Sequence, residues 1–299
     1  MNSELKSRRV NCDELFVALN TLGTTLNPET AAATRALFSP LQRLPSKHIR
    51  IEHDLRYGEH VRHRLDLFSE GKIDPAQDVL VFIHGGGFVG GDKTISGSPF
   101  YANVGHWAAS HGIVAVTINY RLAPEAPWPE ATKDIAQALR WIVREMAKRG
   151  DQSCRIHLCG HSAGATHVAG LLALNSDPAA CLASVSLISG VYDLTLADPS
   201  PGFRAYFGDD KKLYGQRSTL AALAKLHIPL LVAAAQLEPP GIRKQAQALA
   251  NASPRCDYVD ITGHSHLSSV FHLNTDDQAF GNQLLRFFDA SLLDQRSAK

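Results

Sequence analysis

The sequence predicts an α/β fold: a doubly wound, mostly parallel, eight-stranded sheet with helices on both faces and a small helical cap. Short apolar runs rich in β-branched residues recur from position 78 onward, and longer segments of helical periodicity separate them. These runs are continuously apolar rather than alternating, as is typical of strands that helices cover on both faces. Glycine-rich turns follow two of the runs, where an open α/β sheet binds its ligands.

The elements are expected in the following order along the chain. Residues 12–22 and 28–39 have helical periodicity, the second with Asn27 or Pro28 at its start and Pro40 after its end. Residues 49–57 and 62–68 then alternate in hydrophobicity and predict an antiparallel pair at one edge of the sheet. The six remaining strands are expected at 79–83, 113–118, 156–159, 184–188, 230–234 and 258–261.

This order predicts one main domain with appended helices. The N-terminal helices precede the sheet, so residues 1–45 are expected to form a cap segment, and residues 46–299 the catalytic domain. Residues 195–222 contain Pro, Gly and a GDDKK run between two strand candidates. They predict a loop or short-helix excursion that could supply a second cap element.

Composition excludes several classes of partner. The chain has 299 residues and is 44% hydrophobic, and its net charge of +1 comes from 30 basic and 29 acidic residues. Such a balance does not favour nucleic acid or an acidic membrane surface, so the expected partner is a small molecule. No segment resembles a signal peptide or a membrane span, which predicts a cytoplasmic protein. The oligomeric state stays open, a homo-oligomer included.

The five cysteines show neither a C-x-x-C pair nor metal-ligand spacing, and their odd number cannot form a complete set of disulfides. We therefore expect reduced, mostly buried thiols and no metal site. The cysteines are Cys12, Cys154, Cys159, Cys181 and Cys256.

Ser162 is the candidate nucleophile. It lies in Gly160-His161-Ser162-Ala163-Gly164, directly after a predicted strand and before a predicted helix. A G-x-S-x-G sequence in that context places the serine on a tight turn with Oγ exposed to substrate. The helix N-terminus behind it would favour a developing negative charge, and the Ala163 amide would donate to an oxyanion. Composition alone would give this pattern about 0.1 times, so it is weak by itself.

The His84-Gly85-Gly86-Gly87 sequence strengthens the interpretation, since composition would give it only about 0.006 times. Without side chains, Gly86 and Gly87 can turn N–H groups toward a carbonyl oxygen and complete an oxyanion hole. A phosphate-binding loop is the alternative. The loop lacks both the lysine-serine ending and the G-x-G-x-x-G helix entry of such loops.

The proton acceptor and its orienting acid are expected after the serine, the acid first. Glu238 follows the strand IPLLVAAA, and Asp193, after the preceding strand, is the rival acid. His264 and His266 both lie in the loop after the last strand. We favour Glu238, because the strand just before the histidine loop normally carries the acid, and we favour His266 over His264.

These motifs, together with Asn119-Tyr120-Arg121-Leu122-Ala123-Pro124-Glu125, resemble the hormone-sensitive-lipase-like carboxylesterase branch of the α/β-hydrolases over about residues 45–295. The resemblance implies an α/β-hydrolase fold, a Ser-acid-His triad, an oxyanion hole from Gly86, Gly87 and Ala163, a helical cap and no cofactor. His161 inside the serine motif and Glu238 before Pro-Pro depart from that branch. The GHSAG sequence, residues 90–93 and SGVYDL at 189–194 are more similar to the feruloyl-esterase-like and kynurenine-formamidase relatives.

We therefore expect a serine hydrolase that cleaves carboxylic esters of small, moderately apolar substrates through an acyl-enzyme on Ser162. An amidase or arylformamidase with the same triad is the first alternative, and a non-catalytic small-molecule receptor is the second. Arg121 and Glu125 are expected to form a structural ion pair or to bond to loop backbone. Four aromatic residues are candidates for the substrate pocket: Phe88, Tyr120, Tyr192 and Phe207.

Overall fold

The computed structural model of the chain describes residues 12–74, 77–151, 154–174 and 182–297. Cys181 and the first eleven residues of the expected cap segment lie outside this part. Cys159 is free and buried and Cys256 is free and partly buried, and Cys154 is also partly buried, so only one of these three thiols is as buried as expected. No helix within the described ranges combines the length and the apolar character needed to cross a bilayer.

Eight strands form one sheet in the order β1-β2-β4-β3-β5-β6-β7-β8. The pairs β1–β2 and β2–β4 are antiparallel and every later pair is parallel. The predicted eight-stranded α/β sheet, with its antiparallel edge, is thus confirmed. The strands are β1 (Ile49–Arg56), β2 (Arg64–Glu70), β3 (Asp78–Ile83), β4 (Val114–Ile118), β5 (Arg155–His161), β6 (Leu182–Ile188), β7 (Leu230–Leu237) and β8 (Cys256–Ser265).

Helices cover both faces of this sheet. The second helix begins with a capping box in which Asn27 Oδ1 accepts from the Thr30 N–H at 2.8 Å and Thr30 Oγ1 accepts from the Asn27 N–H at 3.2 Å. The helices are α1 (Cys12–Leu22), α2 (Pro28–Phe38), α3 (Ala102–Ala109), α4 (Glu130–Lys148), α5 (Ala163–Ala173), α6 (Pro201–Phe207), α7 (Tyr214–Arg217), α8 (Leu220–Leu223), α9 (Pro240–Ala252), α10 (Ser268–Phe271) and α11 (Ala279–Ser297).

Strand β3 shows why the apolar runs are continuous. Val79, Val81 and Ile83 pack into the core on one face of the sheet, and Leu80 and Phe82 pack into the core on the other. Because side chains alternate along a strand, burial on both faces requires an apolar residue at every position. Burial of each such side chain stabilises the fold by about 1.5–3 kcal/mol.

Arg121 anchors the loop after β4 to helix α4. Its Nη2 lies 2.7 Å from Asp134 Oδ1 and 2.9 Å from Glu130 Oε2, and Nε also contacts Asp134. The expected pair with Glu125 is wrong: that carboxylate is largely exposed and lies 3.4 Å from His60. Arg121 reaches Asp134 instead because the carboxylate is buried and its two oxygens match the guanidinium fork.

Candidate active site

Ser162 lies at the junction of β5 and α5, at the carboxyl edge of the parallel strands. Its backbone is strained, with φ 55° and ψ −123°, and its N–H donates to the Ile188 carbonyl at 2.8 Å. The turn is so close to β3 that a Cβ on Gly164 would lie 2.2 Å from the Ile83 carbonyl oxygen. The second glycine of G-x-S-x-G is therefore required sterically, and the turn leaves Oγ at a cavity.

The structure brings His266 and Glu238 to this serine. His266 Nε2 lies 2.8 Å from Ser162 Oγ, and His266 Nδ1 lies 2.7 Å from Glu238 Oε2. Leu237 and Ser265 are paired and are the last residues of β7 and β8. Glu238 directly follows β7, and His266 directly follows β8. Neighbouring strand ends thus place acid and imidazole side by side, and both residues are buried.

The surroundings of Glu238 favour its charged form. Burial alone would raise the pKa of the carboxyl group. The charge of His266, together with hydrogen bonds from His266, the Ser189 hydroxyl and the Ala235 N–H, outweighs burial and lowers the pKa of Glu238 below its usual value. An ionised Glu238 accepts the Nδ1–H of His266, which leaves Nε2 free to accept the Ser162 hydroxyl proton.

Asp193 and His264 lie elsewhere. Asp193 Oδ1 accepts from the N–H and the hydroxyl of Thr195 at 2.9 and 2.6 Å, and so caps a 3₁₀ turn. His264 Nε2 lies 3.0 Å from Asp277 Oδ2, and its Nδ1 lies 3.1 Å from Ser268 Oγ. Both side chains stabilise loops, and neither has a contact with Ser162 in the described part of the chain.

Three backbone N–H groups lie beside the serine without an acceptor among the described residues: those of Gly86, Gly87 and Ala163. Gly86 has φ 140°, and a Cβ there would lie 2.1 Å from the Gly90 carbonyl oxygen. The loop closes on itself through the Gly90 N–H, which donates to the Gly86 carbonyl at 3.0 Å. Unpaired donors at a helix N-terminus and a glycine loop form the environment that an oxyanion requires.

A cavity of about 460 Å³ opens above Ser162, and its lining is mostly apolar. Phe88 borders it, as does Phe203, which sequence reasoning missed and whose ring meets Phe88 edge to face at 6.1 Å. The lining also includes Thr24, Thr25 and Leu26, in the turn between α1 and α2.

The other three aromatic candidates, Tyr120, Tyr192 and Phe207, are buried behind the cavity and do not border it. Tyr120, for example, donates its hydroxyl to the His84 carbonyl at 2.7 Å. It supports the glycine loop from behind, a position that the spacing of aromatic residues in the sequence could not reveal.

His161 connects the serine turn to the histidine loop. Its Nε2 lies 2.9 Å from the His266 carbonyl oxygen, so the neutral ring donates there. Burial first, and the nearby charge of His266 second, lower the pKa of His161 to about 3. In the sequence His161 distinguishes this serine motif from that of its relatives, but its residue type gives no signal of this contact.

Within the described part of the chain, one group of potential metal ligands lies close to His266: His264, His272 and Asp277, with one donor atom each within 4.8 Å of the others. The two imidazole rings are stacked, with centroids 4.1 Å apart and planes inclined by 27°. Stacked rings direct their nitrogen lone pairs side by side rather than toward one point. The observed His264–Asp277 hydrogen bond accounts for two of the three groups.

Comparison with known proteins adds independent evidence. A family model described as alpha/beta hydrolase fold matches residues 80–266. The chain is 24% identical to a kynurenine formamidase of Danio rerio over 255 residues, which cover 80% of this chain and 82% of that protein. It is 29% identical to the esterase LipQ of Mycobacterium tuberculosis, over 57% of this chain and 43% of the relative.

A hormone-sensitive lipase of Bos taurus is 36% identical over 38% of this chain and 16% of its own length. Among solved structures, esterase B of Lactobacillus rhamnosis superposes with a TM-score of 0.72 at 19% identity, covering 96% of this chain and 98% of that one. The resemblance predicted from the sequence motifs is confirmed by these matches.

Proposed function

Since the chain belongs to the alpha/beta hydrolase fold family and is a hydrolase of the carboxylesterase type, we propose that it cleaves carboxylic esters through an acyl-enzyme on Ser162. The observation that carries this proposal is the continuous hydrogen-bonded chain from Ser162 Oγ through His266 to Glu238, with links of 2.8 and 2.7 Å. The serine end of this chain borders a mostly apolar cavity.

In the proposed mechanism His266 takes the hydroxyl proton as Ser162 Oγ attacks the ester carbonyl carbon. The imidazolium is stabilised by Glu238 and then delivers the proton to the leaving alkoxide. Water, deprotonated by the same imidazole, attacks the acyl-enzyme. As the intermediate collapses and the bond to Ser162 Oγ breaks, the imidazolium returns the proton to Oγ and the carboxylic acid is released. The N–H groups of Gly86, Gly87 and Ala163 hold the carbonyl oxygen in both steps, and one such donor is worth about 10²–10³ in kcat.

Cavity size and lining support small, moderately apolar substrates. About 460 Å³ accommodates a small-molecule ligand, and its walls carry few polar groups. Residues 24–26 and the 197–203 region both border the cavity. We assign residues 1–45 and 195–222 as the cap that limits substrate size, and residues 46–299 as the catalytic domain.

The test is hydrolysis of p-nitrophenyl esters from acetate to decanoate. Ser162→Ala should lower kcat by about 10³–10⁶, whereas the matched variant Ser110→Ala, at the exposed end of α3, should retain the wild-type rate. A fluorophosphonate should attach one phosphonyl group to the wild type, with loss of fluoride, and none to Ser162→Ala, as measured by intact-protein mass. Full turnover of every ester by Ser162→Ala would refute the mechanism, and no turnover by the wild type would favour the receptor alternative.

The two candidate acids can be separated in the same assay. Glu238→Gln should lower kcat by about 10²–10⁴, because the neutral amide no longer stabilises the imidazolium. Asp193→Asn keeps an oxygen that accepts from Thr195 and should leave kcat within about threefold. The reverse order of effects would assign the acid to Asp193.

Formamide hydrolysis is the second candidate, and the match to a kynurenine formamidase over 82% of that protein favours it. The same triad can attack a formyl carbon and release an aryl amine. N-formylkynurenine and a feruloyl ester should therefore be assayed beside the ester panel. A kcat/KM for the formamide that exceeds the best ester by orders of magnitude would replace the esterase assignment and leave the roles of the triad unchanged.

A further inference from the structure

One unpaired carboxylate borders the cavity. Among the described residues of its lining, only Asp198 and His266 carry ionisable side chains, apart from hydroxyl groups. His266 is buried and bonded to Ser162 and Glu238. Asp198 is exposed, and its carboxylate forms no hydrogen bond or ion pair with any described residue. The cavity therefore has a fixed negative charge, and no Lys or Arg is present among the described residues of its lining.

The other acidic residues of this region are engaged. Asp193 caps a 3₁₀ turn, and Asp210 caps the next one by accepting from the Lys212 N–H at 3.0 Å. Asp209 lies 3.8 Å from the Arg204 guanidinium. Asp198 differs from these three because it follows the first turn directly, precedes the Ser200 cap of α6, and serves neither.

Two aromatic rings border the same cavity, those of Phe88 and Phe203. Both rings are buried, and Phe88 is stacked on Tyr206 with centroids 5.2 Å apart, so the two rings form an apolar wall. An exposed carboxylate beside an apolar wall attracts a positively charged substituent, because the apolar surroundings screen the pair less than bulk water does. The same carboxylate would repel a substrate that carries a carboxylate of its own.

We propose that this site prefers esters with a positively charged substituent, an amine or a quaternary ammonium group, and that Asp198 is the residue that sets this preference. The inference rests on the proposed esterase function and names its substrate class. At the solvent-open mouth of a cavity, an ion pair at about 4 Å changes kcat/KM by about 5- to 30-fold.

Isosteric ester pairs test this preference. A charged leaving group is presented by the thioester S-[2-(trimethylammonio)ethyl] thioacetate, which releases a thiol, with S-(3,3-dimethylbutyl) thioacetate as its neutral isostere. A charged acyl group is presented by p-nitrophenyl 4-(trimethylammonio)butanoate, with p-nitrophenyl 5,5-dimethylhexanoate as its neutral isostere. The quantity measured is the charged-to-neutral ratio of kcat/KM for each pair at low ionic strength. Comparison of this ratio between enzymes cancels differences in intrinsic reactivity.

Asp198→Asn should lower the ratio by about 5- to 30-fold for at least one pair, and any effect of the substitution on both members of a pair cancels in the ratio. The matched control is Asp209→Asn, which removes the same charge from a largely exposed position outside the cavity. It should leave both ratios unchanged. Added salt at 0.5 M should reduce the wild-type ratio toward that of Asp198→Asn, because ions screen a pair at an open site.

The results separate the two proposals. If the neutral esters are not hydrolysed in a Ser162-dependent way, the esterase function fails. If they are hydrolysed, and Asp198→Asn changes neither ratio by more than about twofold, or if Asp209→Asn lowers a ratio equally, then Asp198 is only a solvated surface residue and this inference is overturned. The pair whose ratio falls in Asp198→Asn identifies whether the enzyme prefers the positive charge on the leaving group or on the acyl group.

Discussion

His167 makes the stability of this protein depend on pH. The residue is 1% exposed, and neither ring nitrogen has a hydrogen-bond partner among the described residues. Aromatic rings surround it: Phe88, Tyr120 and Tyr206. Burial in that apolar environment lowers the pKa of His167 from 6.5 to about 3. Burial likewise lowers the pKa of His161 and His272 to about 3 and that of His84 to about 4.

At pH values between the lowered pKa of each residue and 6.5, its imidazole is protonated in the unfolded chain and neutral in the folded chain. Stability is therefore fully present above pH 6.5 and falls as the pH falls through this window. At pH 5.5 a group with an unfolded pKa of 6.5 costs about 1.4 kcal/mol relative to pH 7.5. The four buried imidazoles together cost about 5–6 kcal/mol, a large part of the 5–15 kcal/mol typical of a domain.

We expect His167→Leu, a substitution of similar volume, to remove about 1.4 kcal/mol of this loss. The assay is urea unfolding at pH 7.5 and 5.5, and the measured quantity is the difference in unfolding free energy between the two. Val168→Ala, a neighbouring buried change without a titratable group, should shift stability equally at both pH values. A pH difference in His167→Leu within about 0.5 kcal/mol of wild type would refute the reasoning.

Substitutions at three further positions have expected outcomes. Gly86→Ala would place a Cβ 2.1 Å from the Gly90 carbonyl oxygen, so kcat for esters should fall about 10²- to 10³-fold with little change in KM. The Ser189 hydroxyl donates to Glu238, and its residue has a left-handed backbone with φ 58°. Because both substitutions remove the hydroxyl, Ser189→Ala and Ser189→Gly should each lower kcat about tenfold. A glycine variant with wild-type kcat would show that the backbone conformation, and not the hydroxyl, is what catalysis requires. Asp134→Asn leaves Arg121 short of its buried partner and should cost about 3 kcal/mol in urea unfolding, whereas less than about 0.5 kcal/mol would contradict a structural ion pair.

The sheet could be predicted because each core strand is apolar at every position. Strand β3, expected at 79–83, is Asp78–Ile83, and β4, expected at 113–118, is Val114–Ile118. The first two helices could also be predicted from the sequence, since an N-cap residue and a proline mark the start of the second. Helices α7 and α8 were not predicted individually: each has only four residues, too few for a periodic pattern, and packing rather than sequence periodicity defines them.

The site residues likewise include some that strand order predicts and some whose contacts only the folded structure reveals. Ser162, Glu238 and His266 each follow a strand directly, so strand order alone brings them to one edge. Ser189 also follows a strand, yet its link to Glu238 depends on a backbone turn that no residue pattern encodes. The predicted partner of Arg121 was wrong. Glu125 is nearer in sequence, but helix α4 packs so that Asp134 contacts Arg121 in the loop after β4.

The His266 loop has two supports that can be tested against each other. The His266 carbonyl oxygen accepts from His161 Nε2 at 2.9 Å and from Ser269 Oγ at 2.6 Å. If either donor alone can hold the carbonyl, His161→Phe and Ser269→Ala should each lower kcat by only about 3- to 10-fold. The double variant should then lose more than the product of the two, since no donor remains and the imidazole can leave Ser162.

The measurement is a double-mutant cycle on kcat for one p-nitrophenyl ester, with thermal unfolding of all four proteins as the control for folding. An excess loss of about tenfold in the double variant corresponds to a coupling of about 1.4 kcal/mol, within the range found for residues that share one partner. A double-variant loss equal to the product would mean that the donors act independently. His161 would then serve the packing of the serine turn rather than the position of the base.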